Sequence, residues 1–205
     1  MTATANTSSA RDRLLTSAAH LFYEDGITAT GVDRVVAEAG LSKPTLYAHF
    51  GSKRHLVQAV LEQQHAERRT HLARYRGARY GEQEGEQDEE LTVEECIAAI
   101  FDDLDQRHRT DRPLGCAFIK AAAEQAPVDA SVRDAVATHK CWMLELFLDL
   151  AVQARAAEPE RLARQLMALF DGAAAAVITR GDLEATPAAR EAALALLRLA
   201  AAAPS

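Results

Sequence analysis

Six side chains close together in the chain, Lys43, Pro44, Thr45, Tyr47, Ala48 and His49, have the residue types to read a patterned polyanion. A lysine ammonium can donate to guanine O6 and N7. A threonine can bond a base edge or touch a thymine methyl, and an alanine can pack on that methyl. Tyr47 and His49 offer donors to flanking phosphates, and Lys53 adds a cation beside the backbone. Packing roles for Tyr47 and His49, a helix-starting role for Pro44, and simple solvation for Lys43 and Lys53 stand as the plainer alternatives.

These groups need a rigid carrier, and the surrounding stretch from Thr28 to Lys53 supplies one. Val32, Val35, Val36 and Ala39 recur at helical spacing, so a short helix buries one side there. Gly40 follows at the point where a helix end favours the left-handed conformation. Ser42 is a good cap for a second helix, with Pro44 in its first turn. Leu46 and Phe50, four residues apart, turn inward and leave the six polar and small side chains outside. Thr30 sits beside the start of the first helix, where its hydroxyl can cap that helix or meet a phosphate. The pattern is a helix-turn-helix, whose second helix enters the DNA major groove and whose first amides add partial positive charge.

The rest of the chain reads as all-α. Hydrophobic residues make up 48% of it and aromatic residues only 5%, so the core is mainly Ala, Leu and Val. No alternation of β-branched and polar residues suggests a strand. Periodicity, caps and Gly/Pro breaks predict about nine helices: 10–25, 31–39, 43–50, 53–75, 92–109, 116–125, 130–157, 159–180 and one started by Thr186 and Pro187. Residues 1–9 read as a disordered arm, 10–55 as the helix-turn-helix domain, and 56–205 as a larger helical domain. Within the last, residues 77–90 hold six acidic residues and almost nothing apolar, which predicts a mobile loop. Arg68, Arg69, Arg74 and Arg76 just before it, with Arg79 at its start, form a basic run that complements a helix end, a second DNA contact being the alternative. The bend at Pro113 and Gly115 separates the fifth and sixth helices.

Charge and cysteines narrow the function classes. The net charge is −7, with +1 over residues 1–55 and −8 over the remainder. Any phosphate-binding surface is therefore local, which argues against a protein that coats DNA along its whole surface. Cys96, Cys116 and Cys141 are widely spaced and suit a reducing cytoplasm. Four of the histidines, His65, His71, His108 and His139, lack an i, i+4 pair, so no metal site is expected. No signal peptide is legible in the first ten residues, and no apolar run long enough to span a membrane is expected. Protease, hydrolase, phosphate-loop and dinucleotide motifs are absent, so an enzyme on a helical scaffold is the weaker reading.

The stretch LFYEDGITATGVDRVVAEAGLSKPTLYAHFGSKRHL closely resembles the DNA-binding signature of the tetracycline-repressor-like (TetR) family of transcriptional regulators. Gly26, Thr30, the Val32–Gly40 run, Ser42, the Tyr47-x-His49-Phe50 cluster and Lys53 carry the resemblance. A GCAF segment after Pro113 is like that of some members. The resemblance implies DNA contacts from Thr30, Ser42, Lys43, Pro44, Thr45, Tyr47, Ala48, His49 and Lys53. It further implies a homodimer on a palindromic operator, repression as the default, no cofactor, and a small-molecule effector bound within residues 56–205. Candidate lining residues are Phe101, His108, Cys116, Phe118, Trp142, Met143, Phe147 and Phe170, for which a core role is the simpler assignment. They suggest an uncharged or aromatic, mostly apolar effector, and thiol oxidation at Cys116 is the alternative signal. Small and apolar stripes on the last two helices (Leu162, Leu166, Leu169, Ala173, Val177, Ala192, Ala193, Leu196) are candidates for a four-helix dimer interface, or else they close the monomer core.

Overall fold

Side-chain caps set several of the helix starts, and they do so where sequence chemistry points. Ser9 and Asp12 form a capping box: the Ser9 hydroxyl accepts from the Asp12 amide at 3.1 Å while the Asp12 carboxylate accepts from Ser9. Ser52 accepts from the His55 amide at 3.1 Å. Thr92 and Glu95 repeat the capping box, and the two Thr92 donors hold the Glu95 carboxyl below its ordinary range. Asp129 accepts from the Ser131 amide and hydroxyl at 2.9 and 2.7 Å.

The computed structural model describes residues 9–75, 91–110, 116–125 and 129–202. Among them lie nine α-helices and no strand. The helices are α1 (Ala10–Glu24), α2 (Val32–Ala39), α3 (Lys43–Phe50), α4 (Lys53–Leu72), α5 (Val93–Thr110), α6 (Ala117–Glu124), α7 (Ala130–Gln153), α8 (Pro159–Arg180) and α9 (Ala185–Ala202). A single 3-10 turn, Ala73–Tyr75, follows α4, so the helix expected to reach residue 75 tightens over its last three residues. The loop expected at 77–90, the arm over 1–8, Arg76, and the bend at Pro113 and Gly115 fall outside the described residues. One helix start differs from expectation. Thr186 lies inside α9, and its hydroxyl is 3.0 Å from His108 Nδ1 with both side chains buried, so a core partner takes the group expected to cap the helix.

Two compact units emerge. The first comprises residues 1–65 and 117–136, and the second 66–116 and 137–205. The first turns of α4, α6 and the first turns of α7 thus group with the N-terminal helices. Polar groups explain this. Lys120 Nζ donates to the Tyr23 carbonyl at 2.6 Å, the Thr28 amide donates to Glu124 Oε2 at 2.9 Å, and Gln125 Nε2 donates to Thr28 Oγ1 at 2.8 Å.

In the second unit, α8 packs along α9, and α5 packs along α9. Phe101, Phe147 and Phe170 sit at its centre with ring centroids 5.8–6.4 Å apart, two of the three pairs edge to face. Leu162, Leu166, Ala173 and Val177 of α8 and Ala193 of α9 are all buried within this single chain. Five of the eight residues named for a dimer interface are thus core residues of this chain. Only Leu169, Ala192 and Leu196 are partly exposed. By length and composition α8 is apolar enough to cross a membrane, contrary to expectation. Its apolar side is instead the wall of this core, which is what a long central helix of a helical unit requires.

Candidate nucleic-acid interface

The helix-turn-helix is assembled from short helices that none of them sustains alone. In the first unit α1, α2 and α3 pack pairwise. Leu14, Leu15, Ala18, Leu21 and Phe22 of α1, Val35, Val36 and Ala39 of α2, and Leu46 and Phe50 of α3 are buried. Gly40 ends α2 in the left-handed conformation at φ +61°, and the Leu41 amide reaches back to the Val36 carbonyl at 2.8 Å. The Arg13 guanidinium of α1 donates to the carbonyls of Ala39 and Gly40. A Cβ on Gly40 would lie 2.8 Å from that guanidinium, the flexible end of a side chain that can shift, so it is the positive φ that requires glycine.

Helix α3 then begins on Ser42, whose hydroxyl accepts from the Thr45 amide at 3.3 Å and lies 2.8 Å from the Thr45 hydroxyl. With Leu46 and Phe50 inward, Lys43, Pro44, Tyr47, Ala48 and His49 are exposed and Thr45 is half-buried. Tyr47 is 47% exposed, unusual for so large a ring unless something covers it. The structure therefore gathers Ser42, Lys43, Pro44, Thr45, Tyr47, Ala48 and His49 on one helix, and Lys53 on the first turn of the next. Burial pulls the Lys53 ammonium below its ordinary range.

Thr30 is a correction. It is fully buried, and its hydroxyl lies 2.8 Å from the Gly26 carbonyl and 3.2 Å from the Leu21 carbonyl. It neither caps α2, whose N-cap is Gly31, nor reaches solvent to meet a phosphate. It ties the α1–α2 connection to the end of α1. Thr30→Val, close in shape, is expected to cost about 1–2 kcal/mol in urea unfolding and to leave DNA affinity of the folded protein unchanged. Unchanged stability with lost affinity would restore the phosphate role.

Residue spacing did not reveal what Lys43 meets. Its Nζ lies 2.6 Å from Asp33 Oδ1, and that hydrogen bond and charge raise the lysine pKa. Both groups are exposed, so the pair is held lightly. Arg34 is likewise 2.8 Å from Asp25. Asp33 and Arg13 are the residues that sequence reading missed. Both act across the turn, where no periodicity points to them. The acidic residue in the first turn of α2 was the available signal for Asp33.

Among the described residues the effector candidates divide between core and cleft positions. Phe101, Met143, Phe147 and Phe170 fill the second unit's core, and His108 bonds Thr186 there. Phe118 belongs to the first unit. Cys116 is a buried free thiol. Trp142 borders a cleft in the second unit.

Comparison with known proteins agrees with this geometry. Residues 14–60 match the family model described as bacterial regulatory proteins, tetR family. The transcriptional activator FasR of Mycolicibacterium smegmatis is 46% identical over 52 residues, 25% of this chain and 24% of FasR. The regulator TtgR of Pseudomonas putida is 31% identical over 102 residues, 50% of this chain and 46% of TtgR. The chain thus matches less than half the length of either curated relative. A solved TetR-family transcriptional regulator from Streptomyces coelicolor is 30% identical, covering 94% of this chain and 96% of that one with a TM-score of 0.80. An overall identity of 30% across 94% of this chain and 96% of that one, on a shared helical fold, makes this chain a member of the TetR family of transcriptional regulators.

Proposed function

We propose that this regulator acts as a homodimer on a palindromic operator, where it represses transcription until a small, largely apolar effector releases it. The observation that carries the reading is the contrast within α3: Leu46 and Phe50 are buried, while Lys43, Pro44, Tyr47, Ala48 and His49 stand in solvent. Few unpaired cations flank that face, so one protomer holds too few phosphates for tight binding, and a two-fold pair doubles them.

Support for a pair comes from the outer side of α8, not from the stripe expected beforehand. Ala168, Gly172 and Thr179 are exposed and Ala175 is half-buried, at i, i+4, i+7 and i+11. On α9, Ala188, Ala195 and Leu199 are exposed, Leu199 at 71%. An exposed mid-helix glycine costs about 1 kcal/mol against alanine. At Gly172 an added Cβ would meet nothing within 4 Å, so the protomer itself gives no reason to keep it. Close approach of a second helix does. Gly172→Glu is therefore expected to fold at least as stably, to sediment as a monomer, and to bind an inverted repeat about 100-fold more weakly. A dimeric Gly172→Glu protein with full affinity would overturn this interface.

A further inference from the structure

The last turns of α4 carry a second, quite different constellation. Ala66, Arg69 and Thr70 of α4 and Ala73 of the 3-10 turn that follows border, with Trp142 of α7, a cleft of ≈ 350 Å³ in the second unit. That volume is of the size that holds a small organic molecule, for which about 300 Å³ is the lower end. Two alanines keep the cleft open. Trp142, only 7% exposed and with the His139 ring 6.2 Å away, is a fixed aromatic wall.

Arg69 supplies the chemistry. Its neighbours converge on one carboxylate: Arg68 Nη1 lies 2.5 Å from Asp103 Oδ2, His71 Nε2 lies 2.6 Å from Asp103 Oδ1, and Arg107 Nε lies 3.5 Å from Oδ2. Asp103 thus serves three basic groups. Arg69 makes no hydrogen bond or ion pair among the described residues, and it is exposed at the cleft. A planar guanidinium beside an aromatic wall matches a planar acid, since its paired N–H groups fit a carboxylate bidentately. The Thr70 hydroxyl adds a neutral donor on the same side.

We propose that this cleft binds a small aromatic carboxylate, with the ring against Trp142 and the carboxylate on Arg69. The assignment rests on reading the protein as ligand-responsive, and it narrows the effector from a largely apolar molecule to one with a single acidic group.

Trp142 is the sole tryptophan, so its emission reports this cleft alone. The full chain is titrated with 3-phenylpropanoate and, separately, with 3-phenylpropan-1-ol, exciting at the red edge of indole absorption. The acid is expected to give a saturable change, with the alcohol about 10-fold weaker or worse. Arg69→Gln should remove the preference while leaving the circular dichroism of the fold intact, and Arg69→Lys should restore part of it. Equal binding of acid and alcohol, no change with acid up to about 10 mM, or an unaltered preference in Arg69→Gln would each overturn the proposal. Operator release is measured in parallel. Acid binding without release leaves this site standing and counts against effector control through it, whereas release by other compounds with no acid binding overturns the site alone.

Discussion

Leu46→Ala is expected to lower unfolding free energy by about 2–5 kcal/mol and to abolish operator binding at ordinary protein concentrations. Leu46 is fully buried, and with Phe50 it is one of only two side chains that anchor the eight-residue α3. A helix that short has no independent stability in water, so its position depends on those two contacts and on its caps. Removing three carbons from the better buried anchor leaves a cavity that Ser42 and Gly51 cannot compensate. The loss is large against a total stability of about 5–15 kcal/mol for a domain. Urea unfolding followed by circular dichroism, with operator binding measured on the same samples, checks both halves. A loss below about 1 kcal/mol would mean that α3 is held by something other than its apolar face.

Substitutions on the outer side of α3 are expected to leave stability unchanged and to divide by the kind of DNA contact they remove. Tyr47→Ala should weaken binding to all sequences alike and leave the salt dependence unchanged, because a neutral phenol neutralises no phosphate. Thr45→Ala should cost about 1–3 kcal/mol on the preferred operator and relax the preference at one base pair in each half-site. Lys43→Ala should do the same, but with a smaller net loss, because free Lys43 already pairs with Asp33 at 2.6 Å and must give up that partner on DNA. Asp33→Asn removes the competitor without touching the donor, so it should tighten binding in low salt, and this gain should vanish in Lys43→Ala. Titrations of labelled operator and single-base variants at several salt concentrations separate the cases. If Tyr47→Ala, Thr45→Ala and Lys43→Ala all produced one identical pattern, the division into positioning and reading contacts would be wrong.

Local chemistry was legible in the sequence and long-range chemistry was not. The start of α3 at Ser42, the glycine end of α2, and the inward pair Leu46 and Phe50 all follow from spacing and residue type. Thr30 was misread because a hydroxyl beside a helix start has the same sequence signature whether it faces solvent or two carbonyls. The packing of α6 against the N-terminal helices was not legible for a related reason. Lys120, Glu124 and Gln125 read as ordinary polar residues of a short helix, and only folding brings them to Tyr23 and Thr28, nearly a hundred residues earlier. The apolar stripe of α8 was ambiguous by nature. A helix between a core and a partner carries two usable faces, and the larger side chains (Leu162, Leu166, Phe170, Val177) belong to the core. The small ones opposite them include Gly172, which the core does not use. The three central phenylalanines were plausible cavity walls until their rings were found packed on one another, whereas Trp142 keeps an opening beside Arg69.

The central claim is that α3 of two protomers reads one inverted repeat. Nuclease footprinting of the purified chain over the DNA upstream of its own gene tests it most directly. The account predicts one protected tract containing an inverted repeat, its two halves protected at the same protein concentration, and its loss in Gly172→Glu. Uniform protection along the fragment, protection of a single unrepeated half-site, or an unaltered footprint in Gly172→Glu would contradict it.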